Sequence, residues 1–181
     1  MLSREPWDPH ARGRARSRGE QPDYRLSNIA GGTFEAYLMT YAQGIAALPY
    51  GVAVRFAHEM NGFWYPWCEQ SNANVPGDYV RAFRHVHDVF VAQHATNVTW
   101  VWSPNVGYDG SAPLPALYPG DDVVDWVGLS GYFGDPDVGF RTFRDIFGPS
   151  LRPPQVVPKM PCEQDLFFAP SRRESVEIVI D

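Results

Sequence analysis

Apolar residues recur every three or four positions in two stretches of the chain, and each stretch predicts an amphipathic helix. The first stretch runs from residue 33 to residue 47, after a Gly-Gly pair that marks its start. The second runs from residue 78 to about residue 94. Its apolar face carries Tyr79, Phe83, Val86 and Phe90. Both helices are expected to pack one face on a core.

Short, almost continuously apolar runs lie between and after these helices, and they predict β-strands. The runs cover residues 52–57, 98–102 and 123–129. Each of them ends on polar or aromatic residues: HEMNG after the first, SPN after the second and SGY after the third. Runs of this kind suit a parallel sheet that is buried on both faces.

The alternation of strand and helix predicts an α/β protein, and the polar clusters at the strand ends favour a barrel. In (β/α)8 TIM barrels the functional site lies at the carboxyl ends of the strands. A doubly wound sheet also fits the alternation, but it usually carries a glycine-rich phosphate loop, which this chain lacks. A complete barrel takes about 250 residues, and this chain has 181. We therefore expect an incomplete barrel.

The composition is that of a folded protein whose aromatic side chains suit sugar rings. Hydrophobic residues make up 44% of the chain, aromatic residues 14% and charged residues 20%. A formal net charge of -6 argues against nucleic acid as a partner. The arginine-rich stretch at residues 10–20 is the one basic segment, and we interpret it as a solvated loop.

Two cysteines, Cys68 and Cys162, are too few for a four-cysteine metal site, although one disulfide between them stays open. The chain has no apolar run of about 18 residues, so we expect no membrane partner. Its first residues lack the apolar core of a secretory signal, and the sequence does not predict a location.

The candidate for chemistry is Glu59, a carboxylate at the end of a predicted buried strand. Trp64, Tyr65 and Trp67 follow within eight residues. Glycoside hydrolysis needs a carboxylic acid to protonate the leaving oxygen, and aromatic faces hold the pyranose rings. A structural glutamate paired with Arg55 is the alternative, and the residues alone leave both open. A zinc site of the H-E-x-x-H type is excluded, because position 62 is glycine.

Residues 54–67, VRFAHEMNGFWYPW, closely resemble the signature of the β-mannanase family of retaining glycoside hydrolases, family 26 of the large (β/α)8 clan. The resemblance continues through the segments at 101–105, 118–121, 125–132 and 147–150, and includes EPW at 5–7. It implies that residues 1–151 form part of a barrel, approximately strands three to six. Residues 152–181 resemble nothing in the family and form a divergent tail, as a reading-frame slip or a truncation would produce.

The resemblance also implies roles for individual residues. Glu59 is expected to be the acid/base, and a proton donor must be protonated in the resting enzyme. Arg55 and Asn61 would support the site. The residues implied to bind substrate are His58, Trp64, Trp67 and Tyr132, of which Tyr132 would also hydrogen-bond the nucleophile. We expect His58 to be a wall of the site that transfers no proton.

The nucleophile of this family is a glutamate that ends strand seven. The corresponding stretch here reads PKMPCEQD at 158–165, with two prolines and no apolar run. Strand seven is therefore doubtful, and Glu163 is the candidate nucleophile.

Two functions from different classes remain. The first is a retaining glycoside hydrolase of β-1,4-mannan or a related β-glycan, which needs no metal and no cofactor. The second is a catalytically inactive fragment that retains carbohydrate binding.

Overall fold

The computed structural model describes residues 2–4, 20–132, 134–135 and 139–151. The described residues do not include Glu163, Cys162, the tail at 152–181 or residues 10–19 of the arginine-rich stretch.

A four-stranded parallel sheet organises the chain. Its strands are β1 (Leu2–Arg4), β2 (Val52–Phe56), β3 (Val98–Trp102) and β4 (Trp126–Val127). They lie side by side in the order β1-β2-β3-β4, and all three pairings are parallel. Spatial order therefore follows chain order, as in a barrel, whereas a doubly wound sheet reverses direction at a switch point. The predicted parallel α/β arrangement is confirmed.

Four α-helices accompany the strands in the described residues. These are α1 (Leu26–Ala30), α2 (Glu35–Ala46), α3 (Asp78–Ala92) and α4 (Phe143–Phe147). The helices predicted at 33–47 and 78–94 are confirmed to within two residues at each end. The short α1 and the three-residue β1 were not predicted, because neither is long enough to show a periodic pattern. A small antiparallel pair, β5 (Gly134–Asp135) and β6 (Gly139–Phe140), precedes α4.

The third predicted strand, 123–129, is much shorter in the structure. Gly120, with φ +116°, opens a turn in which the Val123 N–H donates to the Gly120 carbonyl, so the strand begins only at Trp126. Pairing continues past β4, since Asn105 and Ser130 form an isolated parallel bridge. The ends of β3 and β4 therefore stay adjacent where the polar segments begin.

Only one face of the sheet is fully buried among the described residues. Val52, Val54 and Phe56 of β2 are buried, and the Phe56 ring meets Phe83 of α3 edge-on at 6.2 Å. On the opposite face Val101 of β3 is buried, but Arg55 beside it is half-buried and Trp126 is 38% exposed. The prediction of a sheet buried on both faces is thus confirmed only in part, because in the described residues the second face is covered only near Val101.

Among the described residues, none of the helices combines the length and the apolar character that a membrane span requires.

Candidate active site

The chain turns sharply as it leaves β2, and this turn places Glu59 at the carboxyl edge of the sheet. Ala57 (φ 49°) and Glu59 (φ 54°) both adopt left-handed backbone conformations. Residues with side chains seldom adopt that region, and such strain concentrates at functional sites. The Glu59 N–H donates to the Ser103 carbonyl at 2.7 Å, which holds the turn against the end of β3.

The Glu59 carboxylate is nearly buried and hydrogen-bonded. The residue is 7% exposed, and its Oε2 accepts a hydrogen bond from Trp64 Nε1 at 3.0 Å. The described ion pairs do not include a Glu59–Arg55 pair. Arg55 Nε is buried and makes no hydrogen bond to a described residue. The geometry therefore favours a carboxylate held by an indole over the structural alternative of a paired glutamate.

Aromatic surface surrounds Glu59 on the solvent side. The half-buried Trp64 ring stacks on Tyr108 with centroids 5.9 Å apart, and Phe63 meets it edge-on at 5.4 Å. Phe63 is 61% exposed and Tyr108 is 37% exposed. Exposed aromatic faces beside a nearly buried carboxylate can hold apolar sugar faces against a proton donor. Sequence reasoning missed Tyr108, because it lies 49 positions beyond Glu59 in a loop without a pattern.

His58 and Trp67 form the inner wall of the site. The buried His58 ring packs against Tyr65, at 5.0 Å, and against Trp67, at 5.6 Å, and these two rings stack on each other at 4.3 Å. Trp67 is completely buried, and its Nε1 donates to the His58 carbonyl at 2.6 Å. The expectation that Trp67 contacts sugar needs correction, since the ring presents no surface in this structure. It lies behind the site and supports the backbone of His58.

Asn61 joins the loop after β2 to the loop after β3. Its Nδ2 donates to the Asn105 carbonyl at 2.9 Å, and its Oδ1 accepts from the Asn105 N–H at 2.8 Å. The Asn61 carbonyl also accepts from the Ala112 N–H at 2.9 Å. Asn61 is completely buried, and its two side-chain bonds to Asn105 are partly shielded from water. This arrangement gives a physical basis for the supporting role expected of Asn61.

A further asparagine, Asn74, anchors the aromatic loop, which is the segment at residues 63–67. Asn74 Nδ2 donates to the carbonyls of Pro66 and Cys68, while its Oδ1 accepts from the Leu26 N–H at the start of α1. Sequence reasoning did not identify Asn74, because its partners are backbone groups that leave no signature in the sequence. Its effect is to fix the segment that carries Trp64 and Trp67.

Glu69 serves the neighbouring helix. Its Oε1 accepts from the N–H groups of Gly77 and Tyr79, at the start of α3. Burial raises the pKa of Glu69, while those two hydrogen bonds lower it in part. Glu69 thus satisfies helix N–H groups and does not face the aromatic surface described above.

Tyr132 follows β4 at the same edge of the sheet and is 64% exposed. Its expected partner, Glu163, lies outside the described residues, so a bond between them stays a prediction. Among the described residues, no group of three or more His, Cys, Asp or Glu side chains is arranged to hold a metal ion.

Comparison with known proteins identifies the family. Residues 30–152 match the model of glycosyl hydrolase family 26, which is more than half of the chain. The chain belongs to this family.

Two relatives illustrate the extent of the similarity. Endoglucanase H of Acetivibrio thermocellus is 36% identical over 137 residues, which cover 73% of this chain and 13% of that protein. A mannan endo-1,4-beta-mannosidase of Bacillus subtilis is 32% identical over 118 residues, covering 61% of this chain and 32% of that protein. This chain therefore spans less than a third of the length of either relative.

A solved structure agrees at the level of the fold. The Bacillus subtilis mannanase man26 superimposes with a TM-score of 0.53 at 25% identity, over 71% of this chain and 41% of that one. The described residues thus form part of a TIM-barrel-like fold.

The buried Cys68 thiol tests how closely the chain packs behind Glu59. Its Sγ lies 3.6 Å from the Glu59 carbonyl, and burial raises its pKa to about 12. Only about one thiol in 10⁴ is then ionised at pH 8, and the thiolate is the reactive form. In a Cys162→Ser background, we expect alkylation of Cys68 at pH 8 to be at least about 100-fold slower in the native chain than in denaturant. Equal alkylation rates in the native chain and in denaturant would show that solvent and reagent reach Cys68 freely.

Proposed function

We propose that this chain carries the acid/base half of the active site of an endo-acting glycoside hydrolase. Its substrate is β-1,4-mannan or a related β-glycan, and it uses a retaining two-carboxylate mechanism. The observation that carries the proposal is the nearly buried Glu59, held by Trp64 at the carboxyl edge of a parallel sheet. Membership of glycosyl hydrolase family 26 supports the reaction class.

In this mechanism Glu59 acts twice. It first donates a proton to the glycosidic oxygen as a second carboxylate attacks the anomeric carbon and the bond to the leaving sugar breaks. It then takes a proton from the water that attacks the glycosyl-enzyme intermediate. The Trp64 indole N–H donates to Oε2 of Glu59, so Oε1 is the oxygen that meets the glycosidic oxygen. Trp64, Phe63 and Tyr108 provide the aromatic faces for the sugar chain.

The second carboxylate is proposed to be Glu163, with Tyr132 as its hydrogen-bond donor. If Glu163 has this role, its carboxyl group lies about 5–5.5 Å from that of Glu59, the separation typical of retaining enzymes. His58 is proposed to act as a wall of the site, in keeping with its contacts to Tyr65 and Trp67.

The strand order supports a specific place in the barrel. We assign β1 to β4 to barrel strands three to six, because four adjacent parallel strands follow in chain order and Glu59 ends the second of them. Residues 1–151 are then the barrel part, and residues 152–181 are a tail outside it. Arg55 lies on the inner face of the sheet, where it can orient carboxylates at the strand ends.

The names of the relatives bear on the substrate. One is an endoglucanase and the other a mannan endo-1,4-beta-mannosidase, so both are named for cleavage within polysaccharide chains. A polysaccharide or oligosaccharide partner also suits the exposed aromatic rings, while the net charge of -6 does not suit nucleic acid.

The second candidate function is carbohydrate binding without catalysis. It is favoured by Phe63 and Tyr132, whose rings are 61% and 64% exposed. An exposed aromatic surface binds sugar whether or not a nucleophile stands opposite Glu59.

Replacing Glu59 tests the acid/base role. We use a chimera in which residues 30–152 replace the matching stretch of the Bacillus subtilis relative. Glu59→Ala in this chimera is expected to lower the hydrolysis of β-mannan by about 10²–10⁴-fold. Aryl mannosides with good leaving groups need little protonation, so their first step should lose far less. Equal losses on both substrates would remove the proposed role, and Glu35→Ala, on the outer helix α2, serves as the control.

The 181-residue chain by itself tests the barrel assignment. Part of a parallel barrel leaves edge backbone groups and an apolar inner face uncovered, which favours association. We therefore expect the purified chain to release no reducing sugar from β-mannan and to self-associate at micromolar concentration. Clear turnover that is lost in Glu59→Gln would show that a second carboxylate of this chain completes the site. Mannohexaose binding without turnover would support the second candidate function.

A further inference from the structure

We infer that Gly62 is a positioning residue for Glu59. Its missing side chain leaves the space in which the Trp64 indole lies, and only there does the indole N–H reach the Glu59 carboxylate. The inference rests on the proposed function, since it assigns Gly62 to the proton donor of that reaction.

The space at Gly62 is already filled by the indole. A Cβ atom added there would lie 2.6 Å from both Cζ2 and Cη2 of Trp64 and 2.8 Å from Cε2. Real Cβ atoms essentially never approach other heavy atoms within 3.0 Å. Cε2 is bonded to Nε1, the atom that donates to Glu59. Any side chain at position 62 therefore displaces the part of the ring that makes the hydrogen bond.

Backbone conformation does not explain this glycine. The glycines with positive φ in the described residues are Gly32, Gly77, Gly110 and Gly120, and Gly62 is not among them. Alanine could adopt the backbone angles of Gly62 without strain. Glycine is required here by the close approach of a side chain.

The indole has little freedom to adjust. Phe63, Tyr65 and Tyr108 all contact it, with ring centroids 5.4, 6.4 and 5.9 Å away. The ring is rigid, so moving Cε2 to van der Waals distance carries Nε1 with it. The hydrogen bond from Trp64 Nε1 to Glu59 Oε2 is 3.0 Å long, and it is lost when this distance grows by about half an ångström.

The consequence concerns proton transfer more than sugar binding. With the indole displaced, Oε2 loses its donor and the carboxyl group is no longer held in one orientation. A misplaced proton donor lowers the rate on substrates that need protonation, while the aromatic surface still holds the sugar.

The experiment observes the hydrogen bond by ¹⁵N NMR in the chimera described above, because the 181-residue chain by itself is expected to self-associate. The Trp64 indole signal is identified by its loss in Trp64→Phe. In the unsubstituted chimera its ¹H shift should lie downfield, as a hydrogen bond to a carboxyl oxygen produces, and in Glu59→Ala it should move upfield. Gly62→Ala is expected to move it upfield as well. Gly44→Ala is the matched control, because a Cβ at this helical glycine meets nothing within 4 Å, and it should keep the original shift.

A thermal unfolding cycle covers the case in which Gly62→Ala is simply unstable. We expect Gly62→Ala to lower the Tm of the chimera by roughly 2–6 °C, as an overpacked contact does. The same substitution should have little effect in a Trp64→Ala background, because the clash is gone. A Trp64 signal that keeps its original shift in Gly62→Ala, or a drop in Tm that persists without Trp64, would overturn the inference. Neither the NMR signal nor the Tm depends on hydrolysis. Failure of the proposed function would be seen in a separate experiment, if the Glu59→Ala chimera still hydrolysed β-mannan.

Discussion

The hydrogen bond from the Glu59 N–H to the Ser103 carbonyl is the constraint on which the site depends. It extends the pairing of β2 and β3 by one more contact while the backbone at Ala57 and Glu59 turns away in left-handed conformations. This bond holds the strained turn against the end of β3. With it, the carboxylate is delivered to the carboxyl edge, where the aromatic loop closes over it.

Around that bond, further hydrogen bonds join the loop after β2 to the loop after β3. Asn61 pairs with the backbone of Asn105, and Asn74 ties the aromatic loop to α1. These amides satisfy buried backbone groups that would otherwise be unpaired. A proton donor must be held in place to be effective, and in the proposed mechanism these side-chain amides hold the loops around Glu59.

Much of this could be predicted from the sequence, and what could not has a physical reason. The apolar period predicted α2 and α3, and the β-branched runs predicted β2 and β3. These elements show a pattern because they are long and bury one face. β1 and α1 are too short to show a period, and the extent of β4 was overestimated because a turn at Gly120 is not visible in an apolar run. The resemblance around HEMNG pointed to Glu59 and Trp64. It could not show that Trp67 lies behind the site, since burial of a tryptophan depends on the neighbouring loops.

The most direct test of the account is chemical rescue of the acid/base position. In the Glu59→Ala chimera, an aryl β-mannoside with a good leaving group forms the glycosyl-enzyme, which then lacks a base to activate water. Azide needs no base, and it can enter from the face that Glu59 occupied. The account predicts that azide restores turnover and that the product is the β-mannosyl azide. An α-azide would identify Glu59 as the nucleophile, and the absence of any rescue would contradict the claim that Glu59 transfers the proton.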